Sequence, residues 1–221
     1  VKIRLAFFAF CLLAGACRAQ VPAERGPQNL SDAKNAVSRY CDSGDYRRDF
    51  EKVIFEARAW IEERAARRSP GERLAVVMDI DETLLDNTSH IRSLDYAYLP
   101  VEWDKWVMAA KAPAYAASKA LFLRVRELGI ELVLITGRTE PKYRACTQEN
   151  LRGQGLGAWS RLLMFPATYR GKAAVLKSEL RASLEKEGLR IIANIGDQES
   201  DLSGGYSERS YKVPDPFYRS N

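Results

Sequence analysis

Three short β-branched runs, each breaking off on polar residues, decide what this chain can fold into. The first, Leu74-Ala-Val-Val-Met-Asp-Ile-Asp-Glu-Thr-Leu-Leu-Asp86, delivers Asp79 and Asp81 one residue apart, with Thr83 following. The second, Ile130-Glu-Leu-Val-Leu-Ile-Thr-Gly-Arg138, ends on the small hydroxyl of Thr136 and then Gly137. The third, Leu189-Arg-Ile-Ile-Ala-Asn-Ile-Gly-Asp197, ends on Asp197, with Asp201 four residues later. Length and composition make all three buried strands. One such run alone would be a core strand with an ordinary loop, Glu82 and Asp86 being solvated neighbours in an acidic turn. Three in this order describe one edge of a parallel α/β sheet, and ligands bind such sheets outside the carboxyl ends of the strands.

Two carboxylates as close as Asp79 and Asp81 repel, and they coexist only near a cation or with one of them protonated. That pairing suits a metal-assisted nucleophile beside a general acid/base, which is the equipment for phosphoryl transfer.

The chain resembles a haloacid dehalogenase (HAD) superfamily phosphatase of the branch with four signature aspartates. Asp79 and Asp81 match the first pair, Thr136 the intermediate motif, and Asp197 and Asp201 the second pair. Within that branch it is similar to the acid phosphatases of class B, subfamily IIIB, related to plant vegetative storage proteins, as an exported bacterial member. Local matches are Tyr40-Cys-Asp-Ser-Gly-Asp-Tyr46, Trp103-Asp-Lys-Trp106, Thr136-Gly-Arg-Thr-Glu140, Lys177-Ser-Glu-Leu-Arg181, Gly196-Asp-Gln-Glu-Ser-Asp201 and Asp215-Pro-Phe-Tyr218. The likeness covers about residues 31–221.

The resemblance implies an α/β fold. A HAD-type, Rossmann-like parallel sheet is flanked by helices, with an N-terminal helical pair and a small cap insertion at about 87–113. It also implies roles. Asp79 is the expected nucleophile, forming an aspartyl-phosphate. Asp81 is the expected acid for the departing alkoxide and then the base for the hydrolysing water, so activity should favour mildly acidic pH. Thr136 is expected to hydrogen-bond a phosphoryl oxygen, with Gly137 beside it against the substrate. A lysine must neutralise the charge of the transferring group. The family's Lys-Ser-x-x-Arg pattern falls on Lys177, and Lys172 is the alternative. Asp79, the backbone carbonyl of Asp81, Asp197 and Asp201 are expected to hold the metal, and oxygen-only ligands make Mg²⁺ the default. The expected substrates are small phosphomonoesters, nucleoside monophosphates among them. The rival is a catalytically silent storage or surface-binding protein on the same fold, and loss of Asp79 would have pointed to it.

Composition narrows the field further. With one histidine, His90, and no paired Cys/His spacing, zinc and histidine-nucleophile phosphatases are disfavoured. His90 lies just past the first motif, either in a loop or near the substrate. The net charge of +5 owes three positive charges to Lys2, Arg4 and Arg18; from Gln20 onward 31 basic residues face 29 acidic. No basic stripe is left to bind nucleic acid.

Residues 1–19 read as a secretory signal with a charged start, a short apolar run from Leu5 to Ala14, and small residues before cleavage at Ala16 or Ala19. The product would be periplasmic or secreted. Leu13-Ala-Gly-Ala-Cys17 also approximates a lipobox, which would instead make an outer-membrane lipoprotein anchored at Cys17. Residues 20–30 form a flexible tether. Cys41 and Cys146 then remain as two partly buried free thiols, although an oxidising compartment permits their pairing.

Along the rest of the chain, Ser31 is expected to cap a helix running to about Cys41. A second helix buries the stripe Phe50, Val53, Ile54, Ala57, Trp60 and Ile61 against the sheet. Further helices are expected at 114–128 and 140–152, a short strand at Leu162-Leu-Met-Phe165, and a glycine-bearing turn within 148–157. In the insertion, Tyr96, Tyr98, Trp103 and Trp106 either stack on a flat leaving group or pack the cap onto the core. The insertion is short, so the cleft should be open.

Overall fold

The computed structural model describes residues 26–220; the leader, Cys17 and most of the tether lie outside the described residues. Five strands, β1 (Arg73–Met78), β2 (Glu131–Glu140), β3 (Arg161–Pro166), β4 (Leu189–Gly196) and β5 (Ser210–Lys212), form one sheet in the order β3-β2-β1-β4-β5. Every neighbouring pair is parallel. The expected α/β fold is therefore present, with β5 added at an edge where the sequence offers only three residues.

Alternation along the strands explains why both faces are covered. Leu74, Val76 and Met78 point into one apolar layer and Ala75 and Val77 into another. Helix α1 is Leu30–Asp42, α2 is Asp45–Ala66, α3 is Thr88–Ser93, α4 is Pro100–Ala109 and α5 is Ala116–Glu127. The first layer is filled by Phe50, Ile54, Ala57 and Ile61 of α2 with Leu121, Phe122 and Val125 of α5. Each large side chain buried there stabilises the fold by about 1.5–3 kcal/mol. Helix α6 is Arg144–Gly153, α7 is Ala173–Lys186 and α8 is Glu199–Leu202. Leu180 and Leu184 of α7 close the second layer over Val77, Val133 and Ile191.

Three boundaries differ from the sequence expectation. Asn29, not Ser31, caps α1, because its side-chain oxygen accepts the Ser31 N–H at 2.9 Å. Helix α6 starts at Arg144 because β2 runs on past a bulge to pair Thr139 with Phe165 and Glu140 with Pro166. The helix then continues through Gly153, so the turn in that stretch is shorter than expected. Gly44, at φ 80°, turns the chain from α1 into α2, a conformation that a Cβ disfavours. Cys41 and Cys146 are both free and half-buried. Among the described residues no helix is long and apolar enough to cross a membrane.

Candidate active site

Register brings the three strand ends to one edge. Met78 is level with Leu134 on β2 and with Ile195 on β4. One or two residues further on, Asp79, Thr136 and Asp197 leave the sheet side by side, and the Asp79 N–H still donates to the Ile195 carbonyl at 3.0 Å. Gly196 allows the return of α8 to this edge. A Cβ there would collide with the Asp201 side chain, so only glycine lets the second acid pair close up.

The result is a buried acidic cluster. Asp79, Asp197 and Asp201 each place a carboxylate oxygen within 4.8 Å of the other two. Lys177, 6% exposed in the interior of α7, donates to Asp79 Oδ1 at 2.7 Å and to Asp201. One turn later on the same helix face, Arg181 donates to the carbonyls of Asp201 and Gly205, at 2.5 and 3.0 Å, and to that of Ser203. The spacing of Lys177 and Arg181 thus delivers one cation to the carboxylates and the other to the backbone carrying them. Lys172 instead sits at the exposed N-cap of α7, where its carbonyl accepts the Tyr169 hydroxyl.

Electrostatics express the crowding. Burial pushes the Asp79 carboxyl up to about 7, with Asp201 and Asp81 adding to the shift and Lys177 opposing it. Burial, then Asp79, Asp201 and Glu82, pushes Asp197 up to about 10. For Lys177 burial disfavours the charge, but Asp79 and Asp201 outweigh it and hold the pKa above its ordinary value. A single ammonium among three buried carboxylates leaves negative charge uncompensated, and the donors are all oxygens. These residues fit a hard divalent cation.

Asp81 lines the same cleft but stands outside that cluster. Its two oxygens accept from Arg138 Nε and Nη2 at 2.9 and 2.6 Å, and Oδ1 also accepts from Asn87 Nδ2 at 2.9 Å. Arg138 is 4% exposed, donates further to Thr147, and lies 5.8 Å from the Trp103 ring centre. Thr136 is buried, and its hydroxyl oxygen accepts the Arg138 N–H at 3.1 Å, which leaves the hydroxyl proton free to donate. Gly137 lines the cleft.

That cleft has a volume of about 350 Å³ and opens between the strand ends, the insertion and the C-terminal segment. Asp79, Asp81, Arg138 and Lys177 form its polar floor, while Tyr98, Trp103 and Tyr218 stand at its walls. The aromatics of the insertion divide between the two expectations. Trp103 and Tyr98 face the cleft, whereas Trp106 turns inward to donate to Asn87 Oδ1 at 2.7 Å, and Tyr96 stacks on Phe217. His90 stacks on Trp106 with ring centres 5.1 Å apart and does not line the cleft.

Sequence reasoning passed over Arg138, Asn87, Glu82 and Tyr218. Glu82 is fully buried and bonded to Asn87 and Tyr218, in contrast to the solvated neighbour of the simplest reading. Arg138 had a visible signal, since it directly follows Thr136-Gly137 at a strand end. Tyr218 stood out only as the end of the Asp215-Pro-Phe-Tyr218 match, and nothing in the sequence pointed to its pairing with Glu82, 136 residues away.

Comparison with known proteins agrees with this geometry. The family described as HAD superfamily, subfamily IIIB (acid phosphatase), matches residues 15–221. Acid phosphatase 1 of Solanum lycopersicum is 36% identical over 187 residues, covering 82% of this chain and 72% of that protein. Vegetative storage protein 1 of Arabidopsis thaliana is 32% identical over 146 residues, covering 64% of this chain and 54% of its own length. The class C acid phosphatase structure from Bacillus anthracis shares the fold, with a TM-score of 0.70, 20% identity and 86% of each chain covered. With a match that runs through every strand end described above, the chain belongs to the HAD superfamily acid phosphatases of subfamily IIIB, a family of phosphomonoester hydrolases.

Proposed function

We propose that this chain is a Mg²⁺-dependent acid phosphatase that works through an aspartyl-phosphate on Asp79, with nucleoside monophosphates among its substrates. The observation that carries the proposal is the buried contact of Lys177 with Asp79 at the floor of an open cleft. Asp79 is the attacking carboxylate: its oxygen forms a bond to phosphorus as the ester oxygen leaves. Asp81 gives its proton to that oxygen and later takes one from the water that splits the acyl-phosphate. To do so it must exchange Arg138 for the leaving group, and Arg138 is then free to meet a phosphoryl oxygen. Thr136, through its free hydroxyl proton, and Lys177 hold the remaining oxygens, with Gly137 allowing close approach.

HAD-family phosphatases generally use a divalent metal, and Asp79, Asp197 and Asp201 would hold it here, with the Asp81 carbonyl as a further oxygen ligand. When bound, Mg²⁺ supplies charge neutralisation to the transferring phosphoryl group. Trp103 and Tyr98 offer a flat leaving group an aromatic wall, which supports nucleotides as substrates.

Hydrolysis of p-nitrophenyl phosphate across pH 4–9, with Mg²⁺ or EDTA and beside Asp79→Asn, tests the proposal. Metal-dependent turnover favouring acidic pH and lost in the variant is the expected result. The likeness to proteins named vegetative storage proteins favours one second reading, a catalytically silent storage or surface-binding protein. Absence of turnover in folded, Mg²⁺-loaded protein, with p-nitrophenyl phosphate and with a nucleotide panel, would favour it. Export belongs to the same proposal, supported by the leader character of residues 1–19. The mass of the mature protein distinguishes cleavage at Ala16 or Ala19 from lipidation at Cys17.

A further inference from the structure

The segment Asp215–Ser220 has no part in the chemistry above, yet it is tied to both acid pairs. On one side Gln198 Nε2 donates to Asp197 Oδ2 at 2.6 Å and to the Asp215 carboxylate, while Gln198 Oε1 accepts the Ser220 N–H at 3.0 Å. On the other side the Tyr218 hydroxyl donates to Glu82 Oε2. Glu82 Oε1 accepts from Asn87 Nδ2 at 2.7 Å, and that same nitrogen reaches Asp81 Oδ1 at 2.9 Å. A short relay of hydrogen bonds therefore runs from the C-terminal segment to Asp81.

Anchoring a tail does not need such a relay. Phe217 already packs Asp215–Ser220 against Tyr46, with ring centres 5.4 Å apart, and against Tyr96. Glu82 is fully buried, its salt-bridge partners among the described residues number none, and its backbone sits at φ 52°, in the left-handed region. A fully buried acid without a cation, on a residue in the left-handed region next to Asp81, is a costly way to hold a loop, and costs of this kind cluster where geometry serves function.

We infer that Tyr218 is a positioning residue: through Glu82 and Asn87 it sets the orientation of Asp81 towards the leaving-group oxygen. The inference rests on the proposed reading of Asp81 as the acid. Tyr218→Phe keeps the ring and removes only the donor, which leaves Glu82 Oε2 unsatisfied and loosens the carboxyl group that Asn87 Nδ2 bridges to Asp81.

The test compares kcat/KM for two esters of similar shape on the same Mg²⁺-loaded full chain. p-Nitrophenyl phosphate releases a phenolate stable without a proton, whereas phenyl phosphate releases one with a pKa of about 10, like tyrosine, and needs the acid. This constant reports formation of the aspartyl-phosphate, in which Asp81 acts only as acid. Tyr218→Phe is expected to lower kcat/KM for phenyl phosphate at least fivefold more than for p-nitrophenyl phosphate. A ratio within twofold of wild type, whether both constants fall together or neither falls, overturns the inference. Between those limits the inference also fails, since second-layer partners of a reacting group typically cost about 10–100-fold. The ratio cancels the amount of active enzyme, so partial unfolding cannot imitate the result. Asp81→Asn separates the two failures. If it lowers both esters alike, the reading of Asp81 as acid falls; if it alone discriminates between them, only the role of Tyr218 falls.

Discussion

Lys177 holds Asp79 from inside a helix, its ammonium 2.7 Å from Oδ1 and both side chains only 8% exposed. An ammonium so placed is already aligned on the atom expected to attack phosphorus. Lys177→Met should lower kcat/KM by about 10²–10³-fold, as loss of a transition-state donor does, and destabilise the fold by about 3–5 kcal/mol through the orphaned carboxylates. Lys172→Met, at the exposed N-cap of α7, should change kcat/KM less than about twofold, in line with ordinary surface substitutions. Steady-state kinetics and urea unfolding of the two variants check both halves.

Arg138 grips Asp81 with two nitrogens, a geometry that one ammonium cannot reproduce. Arg138→Lys should therefore behave more like a loss than a conservative change. A fall of about 10–100-fold in kcat/KM is expected, by analogy with other supporting partners of reacting groups. Arg138→Gln should fall at least as far and also lose about 3 kcal/mol of stability, since Asp81 keeps only Asn87. Recovery of wild-type rates by the lysine variant would mean that charge alone matters at this position.

The strands and their polar ends were legible because burial on two faces demands continuous apolar runs, and Leu74–Met78, Ile130–Ile135 and Leu189–Ile195 supply them. The α2 stripe was legible for the same reason, since Phe50, Ile54, Ala57 and Ile61 repeat at helical period. Asp79, Asp81 and Asp197 could be singled out because each stands where a strand runs out, and Asp201 because it follows Asp197 by four residues. The contacts of Asn87 and Tyr218 could not. They are single side-chain hydrogen bonds made by loop and C-terminal residues, which leave no periodic trace in sequence. β5 was missed because Ser210–Lys212 is too short and too polar to look like a strand before β4 offers it an edge.

Phe50 stacks on Tyr115 with ring centres 4.3 Å apart and is 2% exposed, joining α2 to the start of α5. Phe50→Ala should cost about 3–5 kcal/mol in urea unfolding, the usual range for a buried aromatic truncated in a packed layer. It does not line the cleft, so kcat/KM under native conditions should stay within about twofold of wild type. A large kinetic loss in the still-folded variant would show that the helical pair shapes the cleft as well as the core.

Removal of divalent metal should make the protein more stable in mild acid than at neutral pH, the reverse of most carboxylate linkage. Burial and neighbouring acids raise Asp79 to about 7 and Asp197 to about 10, whereas unfolded aspartate titrates near 3.9. Between about pH 4 and 7 the folded state therefore binds more protons than the unfolded state. Stability is then fullest below the unfolded pKa and falls as pH rises through the folded one. Glu62 and Glu72, held low by arginines, act below this window and leave its slope alone. In EDTA, Tm should thus drop from pH 5 to pH 8. On the proposed reading Mg²⁺ would replace the protons as the compensating charge, so it should raise Tm clearly at pH 8 and much less at pH 5. Asp197→Asn removes a strongly perturbed acid and should lessen the slope of the EDTA profile, buried Glu82 keeping part of it, while weakening the response to Mg²⁺. Thermal scans at the two pH values, with and without metal, read all four outcomes, and an EDTA profile that rises from pH 5 to pH 8 would refute this account of the acidic cluster.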